Sequence, residues 1–234
     1  WPIGMSFDLE QGIGYGSTIG ILYSVITSSG QVANADVCPG WASTPAFDHV
    51  GKRVFFLASG ESLSTYDPAT GVCGPQLPHF CAGYANRCTI SGLTVSSDGE
   101  RLYVAAPSLE PATPPWDGPP SFSIWDLTAG DLDDRDIQTE IPDGAGPHQF
   151  ALSQDDSTLY VSMLRCDRIG VYDAITGEHR YDIRTDAETM GIDLSADGTR
   201  LFVTQVRSDS ALSRGPFDFT LRERAGGCPP FKKK

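Results

Sequence analysis

The sequence contains no Cys-x-x-Cys pair, no His-x-x-x-His pair, no Gly-x-Ser-x-Gly elbow and no His-Glu-x-x-His signature. Those absences exclude the usual zinc modules, the α/β-hydrolase nucleophile and the common metalloprotease centre. Phosphate-cradling glycine loops and Cys-x-x-Cys-His are also missing, which excludes nucleotide and haem chemistry of the familiar kinds. Positive charge is scarce: 17 Lys and Arg face 30 Asp and Glu, for a net charge of -13. Such a surface repels phosphate backbones and anionic lipid, so nucleic acid and bare membrane are excluded as partners, while cations and basic proteins remain. No apolar run approaches the ~20 residues needed to cross a bilayer, and no membrane span is expected. Asn-x-Ser/Thr does not occur, so ordinary N-glycosylation is not predicted. No leader is visible either; a chain opening on Trp1 reads as a processed product.

What is present describes an ordered, turn-rich chain of 234 residues, with 40% hydrophobic residues, 10% aromatics, 25 Gly and 17 Pro. That is enough apolar side chain to offset the entropy of one large all-β domain. The six cysteines, Cys38, Cys73, Cys81, Cys88, Cys166 and Cys228, are even in number and scattered. They predict disulfides and an oxidising compartment, with the pairing left open. A Cys81 to Cys88 bridge would close a rigid knuckle.

Self-similarity organises the rest. Phe7 and Tyr15 recur 40 residues later as Phe47 and Phe55. Sharper copies follow in 93–104, 151–161 and 192–203, where an alternating strand, an Asp-Gly turn or its Asp-Asp-Ser equivalent, and a second strand make a hairpin. A third strand ending in aromatic-Asp recurs in 63–71, 122–130 and 169–177, with Thr or Ala before Gly turning into a fourth. Weaker versions lie at 22–30 and 217–226. The period of 40 to 50 residues predicts one four-stranded sheet per unit.

The motifs Ser-x-Asp-Gly-x-x-Leu-Tyr-Val and Tyr-Asp-x-x-Thr-Gly resemble blades of the YVTN-type propeller repeats found in lactonase-like and bacterial surface proteins, over nearly the whole chain. The resemblance implies an all-β, disulfide-stabilised β-propeller of about five four-stranded blades, the last one incomplete. A single domain is expected over 1–226, with blades at about 1–40, 41–84, 89–143, 146–186 and 188–226 and a tail over 227–234. Such a chain either closes a small ring, forms part of a larger ring, or belongs to an assembly.

In that architecture the loops entering the first strand of each blade surround the channel mouth. His148 and Gln149 are the long polar side chains expected there, and Glu188 lies near the next entry. Together they form the candidate acid-base set of a lactonase-like hydrolase, although so few groups make a thin catalytic case. The Pro-rich insertion 107–120, with Pro114, Pro115 and Trp116, is a stiff loop carrying an aromatic anchor, suited to docking a partner. Asp131, Asp133, Asp134 and Asp136 could offer hard oxygens to Ca2+, but the run lacks the glycine and terminal Glu of a helix-loop-helix site, so it reads first as a solvated turn, with Ca2+ the minor alternative. No cofactor is otherwise expected.

The leading expectation is therefore a secreted or cell-surface propeller that binds another extracellular protein or a glycan, as a structural module of a larger assembly and not as an enzyme. The alternatives are the lactonase-like hydrolase and a carbohydrate-binding lectin.

Overall fold

The computed structural model describes residues 4–18, 20–40, 44–58, 62–75, 91–106, 121–129, 137–141, 145–164 and 166–206. Every regular element in them is a strand. Strands β1 (Gly4–Asp8), β2 (Ile13–Thr18), β3 (Gly20–Ile26) and β4 (Gln31–Gly40) form the first antiparallel meander. Strands β5 (Ala46–Asp48), β6 (Arg53–Ala58), β7 (Ser62–Asp67) and β8 (Val72–Cys73) form the second. The third comprises β9 (Leu93–Val95), β10 (Arg101–Ala106), β11 (Ser121–Asp126) and β12 (Ile137–Glu140). The fourth comprises β13 (Gly146–Leu152), β14 (Thr158–Leu164), β15 (Arg168–Asp173) and β16 (His179–Arg184). A last hairpin pairs β17 (Glu188–Leu194) with β18 (Leu201–Val206).

The first strands lie side by side in chain order, β1 against β5, β5 against β9, β9 against β13 and β13 against β17. This is a propeller arrangement of four blades, not the five expected. Among the described residues the four complete meanders are followed only by the β17–β18 hairpin. The expected third strand of the fifth unit, 217–224, lies outside the described residues.

Alternation along each second strand decides what is buried. In β2, Ile13 and Tyr15 point toward blade 2, where they meet Phe47, Val54, Phe56 and Tyr66. Phe55 and Leu57 of β6 point the other way, onto Leu93, Leu102, Val104 and Trp125 of blade 3. Tyr103 and Ala105 of β10 join Phe150, Leu159, Val161 and Met163 of blade 4. Tyr160 of β14 packs with Ile192, Leu201 and Val203 of the last hairpin. Blades 2, 3 and 4 thus each bury one face on the preceding sheet and the other on the following one, which removes the water-exposed flat faces a lone meander would present.

The Ser-x-Asp motif is a turn device. Ser96, Ser153 and Ser195 donate to Asp98, Asp155 and Asp197 at 2.5, 2.6 and 2.6 Å. The aspartates also accept the amides of Glu100, Ser157 and Thr199 two residues on. Asp173 plays the same part in the β15–β16 turn, accepting the amides of Ile175 and Thr176 and the Arg180 guanidinium. Hydrogen bonds to the charged form hold Asp155, Asp173 and Asp197 down to about 2.

Cys38 on β4 and Cys73 on β8 form a disulfide, with Cα atoms 6.0 Å apart, that staples the outer strands of blades 1 and 2. Cys166 is also disulfide-bonded, whereas Cys81, Cys88 and Cys228 lie outside the described residues.

Replacing Cys38 and Cys73 together by serine should lower the unfolding free energy by up to about 4 kcal/mol, the loop entropy of a bridge of this span, read as a urea midpoint shift. Acid should act on the turns. Their aspartates have folded values below the ordinary 3.8, so the stability they supply is complete above about pH 4 and disappears as pH falls toward 2. A urea midpoint that does not change between pH 5 and pH 2.5 would contradict this.

Candidate functional site

The channel mouth is assembled from Thr44 just before β5, Ser91 and Gly92 just before β9, and two equivalent bulges. One bulge interrupts β13 between Pro147 and Phe150, and the other interrupts β17 between Thr189 and Ile192. A bulge turns side chains out of the strict alternation of a strand. It is why His148, Gln149, Met190 and Gly191 gather at one end of the channel.

These groups bind one another. His148 Nδ1 lies 3.0 Å from the Met190 carbonyl, which can only accept, so Nδ1 carries the proton and Nε2 keeps its lone pair. The Ser162 hydroxyl donates to the same carbonyl at 2.7 Å and accepts the Gln149 amide at 2.9 Å. Gln149 Nε2 reaches Thr44 Oγ1 at 2.9 Å, a bond from blade 4 to blade 2 that passes over blade 3. Ser91 Oγ donates to the His148 carbonyl at 2.9 Å. A Cβ on Gly92 would stand 2.3 Å from that carbonyl oxygen, so only glycine fits there. On β18, Thr204 Oγ1 accepts the Gly191 amide at 2.7 Å.

Burial pushes the His148 imidazole below its ordinary 6.5, and the Met190 carbonyl only partly opposes this. At neutral pH the ring is therefore neutral, with a fixed tautomer and a single available lone pair. Glu188 opens β17 opposite Val206, whereas the hydrogen bonds of His148 and Gln149 run to Met190 and Thr44. The structure thus places His148 and Gln149 at the mouth and Glu188 at the start of the neighbouring strand β17. Trp116, Pro114 and Pro115 lie outside the described residues, as do Asp131, Asp133, Asp134 and Asp136. Among the described residues no group of three potential metal ligands occurs.

The sequence reading missed Ser162 and Thr204. A signal for both was present, since each stands two residues after the second-strand aromatic, as Ser17 does after Tyr15.

The opposite end of each blade carries the hairpin turns, and there apolar side chains reach solvent. Leu9 is 79% and Val50 62% exposed. Lys52 Nζ bonds Glu10 Oε2 at 2.7 Å across these two turns.

No family model and no curated protein sequence matches the chain. Solved structures do. The hydrazine synthase of Kuenenia stuttgartiensis superposes with a TM-score of 0.63 at 16% identity over 87% of this chain, and the chain spans about half of that structure, 55%. A nidogen/laminin complex matches with a TM-score of 0.68 at 16% identity over 87% of this chain and 72% of that one. The β-propeller domain of Cps50 (Swd1) from Myceliophteria thermophila matches with a TM-score of 0.62 at 12% identity, over 86% of this chain and 61% of that one. Identities this low establish the shared propeller fold and nothing about chemistry.

Two measurements follow. The imidazole of His148, followed by NMR, should titrate with a midpoint below 6.5. Because the unfolded chain binds that proton more readily, His148 should withdraw stability as pH falls through the region below 6.5. Substituting alanine for Gly92 should cost on the order of 1 to 3 kcal/mol through overpacking against the His148 carbonyl, seen as a lower thermal midpoint; an unchanged midpoint would show that the mouth is looser than described.

Proposed function

We propose that this chain is a protein-binding propeller, secreted or displayed at a cell surface, that works by holding a macromolecular partner and not by transforming a small molecule. The observation that carries this reading is the contrast between its two ends. At the channel mouth the polar groups bind each other: Gln149 braces blade 4 to blade 2, and His148 is held by Met190. On the turn face, Leu9 and Val50 present exposed aliphatic surface on two neighbouring turns that the Glu10–Lys52 pair spans. Rigid apolar contacts within a polar rim are what a protein interface uses at its centre.

Several further features support the reading. The Cys38–Cys73 disulfide suits an oxidising compartment. No helix among the described residues is long and apolar enough to cross a membrane. Of the matched propellers, one belongs to a nidogen/laminin complex and another is that of Cps50 (Swd1); a protein-binding role for this chain takes the first as its model. The YVTN-type repeat and the Trp116 loop with Pro114 and Pro115 belong to the same proposal, as do extracellular assembly and a glycan as the alternative partner. The lactonase-like reading rests on the free lone pair of His148 Nε2 and would need a carboxylate brought to it.

The test compares immobilised wild-type protein with a Leu9→Asp/Val50→Asp variant for capture of proteins from the extracellular fraction of the source. A protein retained by the first and lost by the second, with both folded by circular dichroism, is the expected outcome. Identical captures by the two would refute the turn face as the binding site.

A further inference from the structure

At the turn end of the seam between blades 3 and 4 the two sheets leave a cleft of about 210 Å3. Alternation along β10 and β11 decides what lines it. The pattern that sends Tyr103 and Ile124 into the seam puts Arg101, two residues before Tyr103, and Asp126, two residues after Ile124, on the same face at its turn end. Arg101 and Asp126 are direct partners across the ladder. Ile124, Ile137 of β12 and Ile175 of the β15–β16 turn supply the apolar lining, and Glu100 joins Arg101 on the polar side.

Ile175 is 52% exposed, yet its turn is held firmly. Asp173 accepts the Ile175 amide at 2.9 Å. Tyr103 donates to the Ala174 carbonyl at 3.0 Å and Thr139 donates to the Gly177 carbonyl at 3.1 Å, so bonds from blade 3 grip the turn on both sides of Ile175. The wall of the cleft is therefore in place before anything enters it, which lowers the cost of binding.

The charges here differ from their counterparts in the neighbouring blades. Arg53 on β6 holds the place of Arg101, two residues before the aromatic of its strand, and pairs with Asp48 at 3.1 Å. Asp173 holds the place of Asp126 and pairs with Arg180 at 2.8 Å. In blade 3 the Arg101 guanidinium comes no nearer to Asp98 than 3.9 Å. Asp126 accepts the amide and hydroxyl of Thr128 in its own turn, which hold its carboxyl below the ordinary 3.8. A guanidinium and an ionised carboxylate thus stand side by side at the cleft, each with bonding capacity left.

We propose that this cleft binds a free aliphatic α-amino acid, with Arg101 on the carboxylate, Asp126 and Glu100 on the ammonium, and the three isoleucines around the side chain. The spacing fits, because cross-strand partners set their Cβ atoms about 4.5 to 5.5 Å apart and can grip two opposite charges carried by one carbon. The chemistry fits, because a planar guanidinium matches a carboxylate with two parallel hydrogen bonds. The size fits as well. A volume of about 210 Å3 is that of roughly seven waters and lies below the ~300 to 1,000 Å3 of pockets for drug-sized ligands. A residue within a polypeptide lacks both charges, so this ligand is distinct from the macromolecular partner proposed above, and its site uses neither Leu9 nor Val50.

The probe is L-leucine, added into the tens of millimolar to the full chain with its isoleucine methyl groups labelled for NMR. The methyls of Ile124, Ile137 and Ile175 should shift along saturable curves while those of Ile13 and Ile192 stay in place. N-acetyl-leucine, which lacks the ammonium, and leucinamide, which lacks the carboxylate, should each bind about ten-fold or more weakly, the loss of one hydrogen-bonded charge. Arg101→Gln and Asp126→Asn should weaken leucine binding by a similar factor with the rest of the methyl spectrum kept. Ile175→Ser changes an exposed side chain and should weaken leucine several-fold, which serves if the charge variants impair folding. Absent or unsaturable shifts, blocked leucines that bind as well as leucine, or folded variants that bind leucine as well as the wild type would each overturn the proposal.

Discussion

An aromatic ring on the second strand of each sheet, pressed into the next sheet, is the interaction on which the rest of the structure depends. Tyr15 meets Phe47 and Tyr66 across the first seam, and Tyr103 lies near Phe150 across the third. Burial of a ring this size removes some 150 to 250 Å² from water, several kilocalories per mole at the usual area coefficient. A four-stranded meander alone would leave such a ring in solvent. The blades are therefore stable as a stack and not one by one, and the order of the chain dictates the order of stacking. Polar links fix the angle between neighbours: Tyr103 donates its hydroxyl to the Ala174 carbonyl of blade 4 at 3.0 Å, and the Phe47 amide donates to Ser6 of blade 1 at 2.8 Å.

The hairpin turns are constrained by the same stacking. Each needs one residue with positive φ, and Gly12, Gly99 and Gly198 adopt it without steric cost. Lys52 and Asp156 hold the equivalent positions at φ 50° and 52°. Both have side chains that reach the preceding blade, Lys52 to Glu10 and Asp156 to the amide and hydroxyl of Ser97. Left-handed backbone costs on the order of 1 kcal/mol or more for a residue with a Cβ. Contacts from turn to turn accompany both residues, on the face that carries Leu9 and Val50.

Much of this was legible in the residues. The Leu-Tyr-Val, Leu-Tyr-Val and Leu-Phe-Val triplets at 102–104, 159–161 and 201–203 announce second strands, and Ser-x-Asp announces the turns before them. The number of blades was overestimated: the hairpin signal recurs a fifth time, and among the described residues it forms only the β17–β18 pair. Which sheet face an aromatic occupies was not legible, since alternation defines two faces without saying which neighbour lies on each. The Cys38–Cys73 pairing depends on two outer strands meeting across adjacent blades and could not follow from spacing. At the channel mouth, His148 and Gln149 were found from their place ahead of a strand. The two bulges that turn them toward Thr44 and Met190 leave no mark in the sequence beyond Gly191.

At one end of the molecule the polar groups bind one another, and at the other Leu9 and Val50 offer exposed apolar contacts, which is why we read it as a binding module. The account rests on the seams between blades, and the most direct test removes the ring at the centre of one. Urea unfolding of Tyr103→Ala should show a loss of about 3 to 5 kcal/mol, because the ring is fully buried between blades 3 and 4 and its removal leaves a cavity there. A loss below about 1 kcal/mol, in the range of ordinary surface substitutions, would mean that blades 3 and 4 do not pack through this ring and would contradict the stacking itself.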